Sequence, residues 1–146
     1  MATKRYIPKT KHDHGKHLAI QSLLMRKHFP CFKCSLRHGV LECVGQITPC
    51  EDCDTYRIRI RLPRGGTPKV RILDPEIKPS GKIHIYSRGD LCLYDHREQP
   101  WMDTDHLHEK IVPWTAEWLV YYELFLMTGE WLGPEAPHGA SPKSAA

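Results

Sequence analysis

At 146 residues the chain has room for one domain and one core, and a second catalytic domain does not fit. Lys and Arg total 21 against 17 Asp and Glu, a net charge of +4, which is too mild by itself to imply a nucleic-acid partner. Apolar stretches break off before the roughly 18 to 20 residues of a membrane span, and the first residues lack the apolar core of a signal peptide. A soluble cytoplasmic protein with no membrane partner is expected, and in that setting its six cysteines read as thiols, metal ligands or a nucleophile rather than a disulfide framework.

Residues 1–15 mix Lys, Arg, His, Thr and Pro without apolar periodicity, and residues 134–146 are rich in Pro, Gly, Ser and Ala. Both read as flexible tails around a domain at 16–133. From Lys16 to His28 the residues Leu18, Ile20, Leu23, Leu24 and Met25 recur at spacings that share a helical face, and Pro30 ends the run. Gly39 to Thr48 alternates imperfectly. Tyr56, Ile58, Ile60 and Leu62 alternate cleanly with Arg57, Arg59 and Arg61, the period of a half-buried strand, and Val70 and Ile72 do the same between Lys69 and Arg71. With a turn at Pro49 to Asp54, these three strands form an antiparallel meander, and the five basic residues read as its solvated face.

Periodicity fades from Ser80 to Met102, although the stretch holds His84, Tyr86, Tyr94, Trp101 and Cys92. Long irregular segments carrying such residues tend to be functional. Helix resumes near Asp105, pauses at Pro113, and runs through Trp114, Trp118, Tyr121, Tyr122 and Phe125 to a cap at Gly129. The aromatic run has helical spacing and reads as core. The fold class is α+β: an N-terminal helix, an antiparallel β-meander and C-terminal helices.

That order is found in ubiquitin-conjugating enzymes, and the chain resembles them at particular residues. Gly89-Asp90-Leu91-Cys92-Leu93-Tyr94-Asp95, followed by Trp101, looks like the active-site stretch and its downstream tryptophan. Ile83-His84-Ile85-Tyr86, Ile111-Val112-Pro113-Trp114-Thr115, Glu117-Trp118-Leu119, Tyr122-Glu123 and Thr128-Gly129-Glu130-Trp131-Leu132-Gly133 resemble the bacterial branch encoded in CBASS anti-phage operons. The resemblance implies a ubiquitin-conjugating-enzyme (UBC-like) fold and a transferase of the bacterial cytoplasm. Its active-site cysteine would take the C-terminus of a partner, a cGAS-like nucleotidyltransferase, as a thioester and pass it to a target, priming anti-phage signalling. No activation domain fits in the chain, so either a separate activating enzyme loads the cysteine or the partner arrives by another route.

Eukaryotic members place a His-Pro-Asn triplet upstream of the cysteine, whereas this chain contains no asparagine. Stabilisation of the oxyanion then falls to His84, Tyr86, Ser87 or backbone amides. Thioester chemistry needs a thiolate, a hydrogen-bonding setting for the tetrahedral intermediate and an acceptor amine relieved of its proton, and it calls for no cofactor. Cys92 is the nucleophile, His84 a candidate helper or equally a structural histidine, and Asp95 or His96 a candidate to deprotonate the acceptor. Tyr86, Ser87, Tyr94 and Trp101 are expected to support the site. The reading requires the sulfur of Cys92 to be reachable from a groove.

A competing reading is a zinc-ribbon nucleic-acid binder, because Cys31-x-x-Cys34 and Cys50-x-x-Cys53 are separated by fifteen residues. A tetrahedral site needs its sulfurs within about 4 Å of each other. One extended strand between the pairs would hold them far apart, at roughly 3.3 Å per residue. Zinc therefore requires a fold-back near His38-Gly39, at the expense of the meander's first strand, and Cys43 reads as a core residue either way. A noncatalytic adaptor of the same fold is the third reading.

Overall fold

The structure, a computed structural model, describes residues 14–134, so almost all of both expected tails lies outside the described residues. Helix α1 spans His14–His28. Its buried positions, Leu18, Gln21, Ser22 and Met25, follow the i, i+3, i+4, i+7 spacing of one helical face. The expected apolar face is shifted by this: Ile20 and Leu23 are 39% and 63% exposed, while Gln21 is fully buried. Arg26, Lys27 and His28 fill the last turn, where cations suit the helix dipole.

The sheet has four strands rather than three: β1 (Lys33–Arg37), β2 (Val40–Ile47), β3 (Tyr56–Pro63) and β4 (Lys69–Asp74), antiparallel in the order β1-β2-β3-β4. The chain folds back at His38-Gly39, with φ of 50° and 73°, joining Arg37 and Val40 through a two-residue loop. Positive φ at both loop residues matches the right-handed twist of the strands it connects. The fold-back thus adds a strand to the meander instead of costing one. β1 escapes periodicity because it is an edge strand exposed at four of its five positions.

On the inner face Tyr56, Ile58, Ile60, Leu62, Leu41, Cys43 and Val70 are at most 1% exposed. Phe32 lies flat against Gly45, where a Cβ would come within 2.6 Å of its ring. A π-helical segment, Leu107–Ile111, leads into α2 (Val112–Thr128), with Pro113 in its first turn and Gly129 capping it at φ 77°. The helix begins one residue before the expected pause, because a proline in the first turn forfeits no intrahelical bond. Glu123 of α2 accepts hydrogen bonds from the Tyr56 hydroxyl and, at 3.3 Å, from the Asp54 amide, fastening α2 to the inner face. Gln21 fastens α1 in the same way: its amide nitrogen meets Asp105 O (3.2 Å) and His106 Nδ1 (2.9 Å), and its oxygen accepts from Leu107 N (2.9 Å). No helix among the described residues is long and apolar enough to cross a membrane.

Candidate active site

The segment around Cys92 is irregular in sequence but tightly bonded. Leu91 N donates to Val70 O (2.8 Å), Tyr86 N to Asp90 O (2.8 Å) and Cys92 N to His84 O (3.0 Å). Residues 84–92 are therefore a small hairpin annexed to the edge of β4, with an isolated bridge between Ile85 and Leu91. Gly89 turns its tip at φ 97°, a conformation that favours glycine. From α2, Trp118 Nε1 donates to His84 O at 2.8 Å and fixes the hairpin from the other side.

Cys92 is only 4% exposed, yet it lines a cavity of about 280 Å³. Asp95, Glu98 and Glu117 share that cavity with the rings of Trp114, Tyr121 and Trp131. The sequence reading required a sulfur reachable from a groove; Cys92 is almost wholly buried and borders this cavity. The thiol donates to the Tyr86 hydroxyl at 3.5 Å. Burial pushes the Cys92 thiol above its ordinary range, the Tyr86 hydroxyl works against that shift, and the nearby Asp95 carboxylate adds to it. Tyr86 is itself pushed up, first by burial and then by its bond to Cys92. At neutral pH the resting sulfur is therefore a protonated thiol.

The structure distributes the expected residues unevenly. His84 and Asp95 line the same cavity as Cys92, and Asp95 Oδ1 accepts from Arg97 N at 2.9 Å. Tyr86, Ser87 and His96 line a second cavity of about 370 Å³, and Tyr94 borders both. Tyr94 is 6% exposed, its hydroxyl has no hydrogen-bond partner among the described residues, and burial pushes its pKa up to about 12. Trp101 packs half-buried against the core and lines neither cavity. Glu98, Glu117, Trp114, Tyr121 and Trp131 were not singled out as site residues by sequence reasoning. Glu117, Trp114 and Trp131 did lie within the quoted bacterial pattern, the one signal that pointed to them.

The four cysteines of the zinc reading are placed apart. Cys50 and Cys53 are joined as a disulfide, Cys34 faces Cys43 across the β1–β2 pair at 2.8 Å, and Cys31 is exposed beside Gln46 O. Among the described residues no three His, Cys, Asp or Glu side chains converge as a metal site would need. Cys43 is in the core at 0% exposure.

The family model for the Type II CBASS E2 protein matches residues 21–139, spanning the sheet, the Cys92 hairpin and α2, and the chain belongs to this E2-CBASS family. No curated protein matches the chain.

Proposed function

We propose that this E2-like protein has the UBC-like fold and works as a cysteine-dependent transferase. The C-terminus of a partner protein, a cGAS-like nucleotidyltransferase of the same operon, is held on Cys92 as a thioester and passed to an amine. The observation that carries the reading is the placement of Cys92, a residue only 4% exposed that lines a cavity walled by carboxylates and aromatic rings.

That cavity suits an alkylammonium acceptor. Asp95, Glu98 and Glu117 attract the cation, and Trp114, Tyr121 and Trp131 offer aromatic walls to its charge and methylenes. A carboxylate takes a proton from the ammonium and the freed amine attacks the thioester carbon. A C–N bond forms, the C–S bond breaks, and the Cys92 sulfur leaves as thiolate and is reprotonated. An upward-shifted thiol makes a poorer leaving group than an exposed one, which protects a resting thioester from premature discharge. The Tyr86 hydroxyl, in contact with the sulfur, is the proposed polar partner for charge developing there, with His84 at the cavity wall. The low exposure of Cys92 also favours a second reading, an adaptor that docks partners without chemistry.

Co-expression with the neighbouring nucleotidyltransferase separates the two. The expected result is a covalent species with the wild type, none with Cys92→Ala, and a thiol-resistant one with Cys92→Lys, where an amide replaces the thioester. Equal co-purification of the partner with all three proteins and no covalent species would favour the adaptor.

A further inference from the structure

The pairing registers sort the strands into two faces, and the outer one is strongly basic. One rung across the sheet runs Lys33, Val44, Arg59, Arg71, and another runs Ser35, Glu42, Arg61, Lys69. Arg37 and Arg57 lie on the same face, two residues along from these rungs. Seven cations therefore share a surface whose carboxylates include Glu42, bonded to Arg61 at 2.8 Å, the flanking Asp90, 3.6 Å from Arg71, and Asp74, the register partner of Arg57 across the β3–β4 irregularity. Among the described residues, Lys33, Arg37, Arg57, Arg59 and Lys69 have no carboxylate within ion-pair distance. A net charge of +4 conceals this concentration, because it averages over the whole chain.

Burial, and after it the neighbouring Arg61 guanidinium, hold Arg59 below the usual guanidinium range. An incoming anion would relieve that crowding. Successive guanidiniums on β3 repeat every two residues, roughly 6.6 to 6.8 Å, comparable to the span between neighbouring phosphates of one nucleic-acid strand. Between β1 and β4 the face dips into a groove of about 620 Å³ that includes Arg37, His38, Arg61 and Lys69. The uncharged residues of the outer face are Ser35, Val40, Val44, Gln46, Pro63 and Leu73, with no aromatic ring among them. A protein interface normally rests on large aromatic or aliphatic anchors, whereas the aliphatic residues of this face, Val40, Val44, Pro63 and Leu73, are half-buried among the cations, and base readout would need more than one amide.

We propose that the outer face of the sheet binds the phosphodiester backbone of a nucleic-acid duplex without reading its sequence. The Cys92 cavity is built with α2, which packs on the inner face, so a duplex on the outer face leaves the sulfur free.

The test is fluorescence anisotropy of the full chain with labelled 20-base-pair duplexes of DNA and of RNA. Release of about 0.9 counterion per phosphate contacted, at five unpaired cations, predicts a log–log salt slope of about −4.5 and a several-hundredfold weakening between 50 and 200 mM salt. Two unrelated sequences bind within about threefold of each other, since phosphate contacts carry no sequence information. Arg57→Gln/Arg59→Gln/Lys69→Gln lowers the slope by about 3 units and weakens binding more than tenfold at 50 mM salt. Lys33→Gln/Arg37→Gln does the same by about 2 units, and Cys92→Ala binds as the wild type does. Saturable binding to either polymer supports the proposal, and the tighter arm names the source of the phosphates. No binding at 50 mM salt, full binding by both multiple variants with unchanged melting temperatures, or polyglutamate outcompeting both duplexes would overturn it.

Discussion

A cysteine that is 4% exposed, with its thiol hydrogen-bonded to a tyrosine and a carboxylate nearby, is held as a poorly reactive thiol. Alkylation of Cys92 by iodoacetamide should therefore be sluggish at pH 7 and climb with a midpoint above the ordinary cysteine range. Tyr86→Phe removes the one contact that favours the thiolate, so its profile moves further up and the rate at pH 8 falls several-fold, about the worth of one hydrogen bond. Competition between Cys92 and Cys31 labelling, followed by peptide mass spectrometry, reads both effects. Glu117 is exposed on α2 and borders the cavity, so Glu117→Gln should leave thioester loading intact. Its discharge to lysine should slow by about tenfold, less than the hundredfold of a dedicated base, because Asp95 and Glu98 remain. Single-turnover discharge measures this. Cys92 as a candidate was legible from its flanking motif. Its contact with Tyr86 was not, because it depends on pairing within a hairpin that leaves no trace in periodicity, and the acidic wall was not, because helix α2 and the 95–99 loop meet only in three dimensions.

At the level of elements, strongly alternating strands and the capped helix were readable: β3 and β4 announce themselves through the arginine alternation, and Gly129 ends α2 as a left-handed cap. The edge strand β1 was not, since its residues have little to bury. Nor was the polar seam of α1, because an apolar count assigns Ile20 and Leu23 to the core and overlooks Gln21. Yet Gln21 is the joint between α1 and the π-helical segment, bonded to three backbone or ring atoms there. Gln21→Leu keeps the volume but leaves buried groups, the Leu107 amide among them, without partners. The expected loss is about 2 to 4 kcal/mol, read as a lower urea midpoint. Gly45→Ala should cost about 1 to 3 kcal/mol by forcing a methyl into the Phe32 ring.

Across the whole molecule, one sheet separates two surfaces of different character: an inner side where helices build the cavity of Cys92, and an outer side left to cations. The helical side also carries a cluster of histidines, with His28 stacked on His108 at 4.1 Å and His106 nearby at 5.6 Å from His108. Burial holds both His17 and His108 below their ordinary value of 6.5; Asp103 opposes the shift at His17 and Glu109 at His108, while neighbouring histidines add to it. Both are therefore neutral in the folded chain while the unfolded chain takes up protons near pH 6.5, so stability is retained above that pH and declines as the pH falls below it. Each such group contributes a slope of at most about 1.4 kcal/mol per pH unit. Melting temperatures across pH 8 to 5 should be flat and then fall, and His17→Gln/His108→Gln should blunt the fall. The charge segregation between faces could not be read from net charge, which averages over it, and became visible once strand register was known. The central claim concerns the sulfur. It is tested most directly by the intact mass of the wild-type protein purified under acid from cells making the partner. A mass equal to the two chains less one water, mapped to Cys92 and released by thiol, is predicted; an adduct that persists in Cys92→Ala, or maps to another cysteine, would contradict it.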